Sequence, residues 1–123
     1  FPTLAKWSGA SLPQDRMLDG VDQTSFFSGK INKSSRETVL IYVGNELFGV
    51  KWRNWKMLLK EIARNGSYAI QNLAYPSIYN IIIDPKEEEP EKFYLDDTWV
   101  EVPLWNAIAE HENSLEKDSG APD

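Results

Sequence analysis

The chain has 123 residues, a formal net charge of −6, five Trp, one His and no Cys. That is the length of one ordinary domain, and 41% hydrophobic with 12% aromatic residues supplies enough apolar material for a core. The lack of Cys excludes thiolate catalysis, a disulfide framework and Cys-ligated zinc or iron–sulfur sites, and a single His excludes HExxH chemistry and two-His metal sites.

The charge is uneven along the chain. Up to Asp84 there are ten basic and seven acidic residues; from Pro85 onward there are three basic and twelve acidic. An acidic final third argues against nucleic acid as a partner of the whole chain, since phosphate contacts require a positive surface. The sequence opens on Phe1-Pro2-Thr3-Leu4 without initiator Met, basic n-region or long apolar stretch. No segment reads as a signal peptide or a membrane span, and the chain reads as a piece of something longer.

In chain order, Pro2 to Ala10 places Leu4 and Trp7 three apart, with Pro2 suited to a first turn and Gly9 weakening the end. This predicts the last turns of a helix. Ser11 to Lys33 carries Pro13, Gly20 and Gly29 with Asp15, Arg16, Asp19 and Asp22, and has no sustained periodicity, so a long loop is expected. Thr38 to Val43 (TVLIYV) is the clearest strand. Gly44-Asn45 turns it into Glu46 to Trp52, where alternation puts Phe48, Val50 and Trp52 on one face and Leu47, Gly49 and Lys51 on the other. Arg53-Asn54 makes a second tight connection. Trp55 to Ile62 then reads as a third strand, with a helix as the alternative because Met57 to Ile62 has high helix propensity.

Asn65-Gly66 ends that element. Ser77 to Asp84 (SIYNIIID), between Pro76 and Pro85, reads as an edge strand, and the acidic stretch from Lys86 to Lys92 as a solvated link. Trp99 to Glu116 places Val102, Trp105, Ile108, Ala109 and Leu115 at helical spacing, with Glu101, Glu110, His111, Glu112 and Glu116 mostly opposite. Ser119 to Asp123 is a polar tail. The expected fold class is α+β: an antiparallel sheet of about four strands with a C-terminal helix packed on it.

Few residues carry chemistry. Lys51-Trp52-Arg53-Asn54-Trp55-Lys56 interleaves cations with aromatics, a run that can stack rings while holding phosphate or sulfate. The plainer reading puts Trp52 and Trp55 in the core and Lys51, Arg53 and Lys56 toward solvent. Asp15, Asp19 and Asp22 do not match the spacing of a calcium loop and read as turn-capping residues. Asp96-Asp97 reads as a cap or turn before the last helix, and His111, between two Glu residues, as a solvated helix-surface residue. Asn32-Lys33-Ser34 and Asn65-Gly66-Ser67 match the short glycosylation pattern. No catalytic and no metal-ligating residue is assigned.

Several segments, taken in order, resemble the C-terminal portion of the sulfatase family, the formylglycine-dependent sulfate-ester hydrolases. Phe1 to Ala5 with Ser8-Gly9-Ala10 resembles the family's "PTL…(A/S)GA" helix end. Leu12-Pro13, Asp15-Arg16, Asp19-Gly20-Val21-Asp22, Phe26-Phe27 and Gly29 resemble its "P-x-D-R-x-x-D-G-x-D…L-x-G" stretch. Arg36-Glu37, the Gly44-Asn45 turn, Val50-Lys51-Trp52 and Trp55-Lys56 are similar to its "A-V-(R/K)…W-K" hairpin, and Ile78-Tyr79-Asn80 with Asp84 to Glu88 to its "L-Y-N-L…D-P-x-E". Together these cover roughly residues 1–90.

The resemblance implies that residues 1–36 are the end of a catalytic-domain helix with its connecting loop. Residues 37–123 would be the C-terminal subdomain, a meander plus helix. The family's C-x-P-x-R or S-x-P-x-R motif is not in this chain, so formylglycine and calcium are expected in the longer protein and no cofactor in this piece. Implied partners are the missing N-terminal catalytic domain and, through it, a sulfated small molecule or glycan, with no membrane and no nucleic acid. Lys51, Arg53 and Lys56 are the candidates for a substrate-cleft rim. The fragment reading also expects Leu4, Trp7, Phe26 and Phe27 to be under-packed or covered by a second copy of the chain. Family habit points to secretion, the periplasm or a lysosome. The competing reading is a stand-alone glycan- or nucleic-acid-binding module built on the basic–aromatic hairpin.

Overall fold

Pro2 in the first turn and Gly9 after the last bound helix α1 (Pro2–Ser8). Gly9 sits in the left-handed region at φ +74°, where Gly is favoured, and closes the helix while the Ala10 N–H bonds the Ala5 carbonyl at 2.9 Å. The structure, a computed structural model, describes residues 1–63, 67–91 and 98–117. The Asn65-Gly66 turn, Asp96-Asp97 and the polar tail lie outside the described residues.

Chain contacts divide the protein into two units, one from Phe1–Glu37 with the described end of the chain from His111, the other Thr38–Glu110. In the first, α1 buries Pro2, Thr3 and Ala5. The segment expected to be a long loop contains a short helix, α2 (Thr24–Phe27). It lacks periodicity because tethers order it. The Thr3 hydroxyl accepts the Gln23 N–H at 2.9 Å, and the Gln23 side-chain carbonyl accepts the Ser35 N–H at 2.9 Å. Gly20 lies so close to Pro2 that a Cβ there would come within 2.4 Å of the proline Cδ.

The second unit is the expected meander. Strands β1 (Thr38–Val43), β2 (Glu46–Trp52), β3 (Trp55–Ile62) and β4 (Ile70–Asn80) form one antiparallel sheet in the order β1-β2-β3-β4. β3 is a strand, so the turn at Arg53-Asn54 overrides the helix propensity of Met57 to Ile62. A 3₁₀ turn (Thr98–Val100) leads into helix α3 (Glu101–Lys117). The core consists of Val50, Met57 and Ile78 from the sheet with Val100, Leu104, Ala107 and Ile108; Leu40, Leu47, Trp52, Trp55 and Leu59 pack against it.

Three sequence expectations change. Within β2, Ile41 opposes Gly49 but Tyr42 opposes Leu47, so Phe48 is an extra, bulged residue. The bulge breaks strict alternation. Leu47 joins Val50 and Trp52 at the core, and Phe48 is buried outside that cluster. The fourth strand begins at Ile70 and ends at Asn80, seven residues before and four residues before the bounds expected from the Pro residues. Pro76 lies inside a wide irregularity, because Leu58 opposes Ser77 while Lys60 opposes Asn72, and a residue without an N–H is tolerated where the ladder is interrupted. Past Asn80 the chain turns: the Asn80 carbonyl accepts the N–H groups of Ile83 at 3.0 Å and Asp84 at 2.8 Å.

The third change concerns α3. Its buried residues are Leu104, Ala107 and Ile108, whereas Val102, Trp105, Ala109 and Leu115 are exposed. His111, three residues after Ile108 on the same stripe, is half-buried rather than solvated.

Candidate functional site

The basic–aromatic hairpin is built by the β2–β3 turn. Trp52 opposes Trp55 and Lys51 opposes Lys56 in the register. Side chains alternate across a strand, so the two Trp residues share the core-side face and the two Lys residues share the other. The run is therefore split by the sheet. The structure brings Arg53 to the aromatic side, its guanidinium carbon 4.6 Å from the centroid of the Trp52 ring, a cation–π contact. Arg53 holds φ +52°, a conformation that costs a non-Gly residue energy.

On the other face, directly opposed cations repel. Two contacts offset this. The Lys56 Nζ lies 2.6 Å from Glu87 Oε2 in a half-buried ion pair, and the Lys51 Nζ donates to the Arg53 backbone carbonyl. Lys56 is thus charge-compensated, and Lys51 braces the turn that carries Arg53. Glu87 reaches Lys56 from a loop that Asp84 organises. The Asp84 carboxylate accepts the Glu89 N–H at 3.0 Å. That N–H first, then those of Glu88, Glu87 and Lys86, hold the Asp84 carboxyl below its ordinary value.

Two participants escaped the sequence reading. Trp99 stands edge-on to both Trp52 and Trp55, with ring centroids 6.2 and 6.4 Å apart, and is 56% exposed. Glu87 is the other. Its only sequence signal is its place in the "D-P-x-E" match, and Trp99 gave none, because each meets its partner across more than thirty residues of chain.

The remaining candidates resolve into structure. Asp22 accepts the Thr24 N–H at 2.9 Å and pairs with the Lys6 Nζ at 2.6 Å, the turn-capping role expected of it. Asp15 pairs with Arg16 at 2.8 Å, and the Arg36 guanidinium donates to the Asp19 backbone carbonyl. The acidic segment does not converge on a point, and among the described residues no group of three or more His, Cys, Asp or Glu could hold a metal ion. Asn32 and Ser34 are exposed, and Asn65 lies outside the described residues. No helix among the described residues is long and apolar enough to cross a membrane.

No protein-family model matches the chain. Curated relatives do. Human steryl-sulfatase is 30% identical over 111 residues, covering 73% of this chain and 19% of that protein. Rat steryl-sulfatase is 28% identical over the same share, and dog arylsulfatase H is 35% identical over 52 residues, 42% of this chain. Among solved structures, a Pseudoalteromonas sulfatase superposes with a TM-score of 0.84 over 98% of this chain and 26% of that one, at 22% identity. A second, from work on glycosaminoglycan metabolism in Bacteroides thetaiotaomicron, gives 0.66 over 91% of this chain at 20% identity. The fold is therefore the sheet-and-helix unit found within sulfatases. The chain belongs to the sulfatase family, corresponds to its C-terminal region, and spans about a fifth of the length of the steryl-sulfatases it matches.

Proposed function

We propose that the chain is the C-terminal piece of an arylsulfatase-like enzyme that hydrolyses a sulfate ester, and that it shapes the rim of the substrate cleft without catalysing by itself. The observation that carries this reading is the human steryl-sulfatase match, which takes in 73% of this chain but only 19% of the relative. The bulk of such a protein lies outside these residues, and this chain has neither C-x-P-x-R nor S-x-P-x-R. Formylglycine and calcium would belong to the rest of the enzyme. Residues 1–36 would close its catalytic domain, and residues 37–123 would form the C-terminal subdomain.

Arg53, with Lys51 and Lys56 behind it, is the rim element that would attract an anionic substrate. Of the three, Arg53 is the one at an exposed turn, held over Trp52 in a costly backbone conformation. Neither of the uses weighed for a stand-alone module is favoured by any contact described above.

The test is an assay of the isolated chain with a chromogenic aryl sulfate. No turnover is expected, and measurable turnover overturns the reading. In the full-length enzyme, Arg53→Ala is expected to raise KM with little change in kcat, the signature of lost substrate attraction. Unchanged KM would remove Arg53 from the rim.

A further inference from the structure

We infer that Lys51 and Glu87 are positioning residues for Arg53, acting on the turn that carries its guanidinium and not on a substrate directly. The inference rests on the reading of Arg53 as a rim element and deepens it. All the residues concerned belong to the one unit Thr38–Glu110.

The turn between β2 and β3 needs bracing. Arg53 holds φ +52°, and a non-Gly residue keeps that conformation only where its surroundings impose it. Both carbonyls of the turn are fixed. The Asn54 carbonyl accepts the Ile81 N–H at 2.9 Å, and the Arg53 carbonyl accepts a hydrogen bond from the Lys51 Nζ. The lysine bond is charge-assisted and therefore among the stronger kinds. It pins the peptide just after Arg53 while the guanidinium carbon lies 4.6 Å from the Trp52 centroid. Lys51 is half-buried and Arg53 exposed. The lysine charge is thus committed to the main chain, and the exposed cation of the turn is Arg53.

Lys51 can do this because Lys56 is drawn away. The two lysines oppose each other in the register, and like charges directly opposed are destabilising. Glu87 takes the Lys56 Nζ at 2.6 Å in a half-buried pair, which salt screens less than an exposed one. Glu87 is itself fixed, its N–H bonding the Asp84 carbonyl at 3.2 Å. Its carboxylate therefore acts on Arg53 through two lysines, by removing the repulsion that would push Lys51 off the turn.

Nuclear magnetic resonance of this chain reads the device without any substrate, because the Trp52 ring displaces the signals of a side chain stacked on it. Lys51→Met keeps the length of the stem and removes the donor, and is expected to return the Arg53 side-chain signals toward unstacked values. Lys51→Arg is expected to restore them. Glu87→Gln is expected to move them the same way as Lys51→Met. Lys56→Met/Glu87→Gln removes both charges of the pair and is expected to bring them back, which a merely structural role for the pair would not do. In an enzyme of the proposed kind that carries this chain, Lys51→Met is expected to raise KM about threefold or more with little change in kcat. Lys51→Met/Arg53→Ala is then no worse than Arg53→Ala alone, since both act through one group. Unmoved Arg53 signals in Lys51→Met or in a folded Glu87→Gln overturn the inference, whatever Arg53→Ala does to KM. So do signals that the charge-free double variant leaves displaced, or KM effects of Lys51 and Arg53 that add. An unchanged KM in Arg53→Ala overturns the rim reading instead, while moved signals still support the bracing of Arg53.

Discussion

Asp22 shows how a residue read as a turn former acquires its chemistry. The Lys6 ammonium first, then the Thr24 hydroxyl and N–H, hold its carboxyl at about 2 against an ordinary 3.8. The folded state therefore refuses a proton that the unfolded chain accepts. The stability this contributes is fully present above the unfolded value and is lost as pH falls from about 4 through about 2. The Asp22→Asn variant is expected to have a lower urea midpoint than the unaltered chain at neutral pH, with the gap closing across that acidic window. Salt shrinks the effect, because the pair is exposed. Midpoints that stay parallel from neutral to strongly acidic pH would show that Asp22 is not linked to folding. At the same scale, Lys51 and Lys56 show what residue type alone hides. Both are cations of the expected hairpin, yet one braces a turn and the other pairs with Glu87.

At the scale of elements, the bounds of the first three strands were legible because Gly44-Asn45 and Arg53-Asn54 punctuate them, although the sequence left a helix open for the third. β4 was not, since Pro76 reads as a boundary and the sheet accommodates it inside an irregularity. α3 was legible as a helix but not as to its buried face. Its sequence carries two apolar stripes, Val102–Trp105–Ala109 and Leu104–Ala107–Ile108, and periodicity alone does not choose between them. The sheet chooses the second, where Leu104 is fully buried against Val50, Met57 and Ile78. The candidate site divides in the same way. Its residues could be read from the sequence, whereas the separation of Lys from Trp across the sheet, and the arrival of Trp99 and Glu87, depend on long-range packing. Leu104→Ala is expected to cost about 3 kcal/mol by urea denaturation, and Val102→Ala, at a position 62% exposed, less than about 0.5 kcal/mol. A reversed order, with Val102→Ala the costlier, would mean the helix presents the other stripe.

At the scale of the whole molecule, the chain exposes more large apolar side chains than its own core explains. In the first unit Leu4 is 66% exposed, Trp7 57% and Phe27 64%, with Phe26 also exposed, and the Trp7 and Phe27 rings meet edge to face at 6.1 Å. Packed aromatics left in water are a feature of interaction surfaces, and the relatives are about five times longer than the aligned region. If the remainder of a longer protein covers this face, its contribution to stability depends on context. In the isolated chain, Leu4→Gln/Trp7→Gln removes little burial and is expected to cost less than about 1 kcal/mol, mostly the lost aromatic contact. In a longer protein that covers this face, the same pair would leave two polar side chains where a Leu and a Trp are buried, and is expected to cost about 3 kcal/mol or more. Thermal or urea unfolding of both forms, with and without the substitutions, reads the difference. A small cost in both would mean the face stays open in the complete protein, and the exposed apolar surface would need another partner.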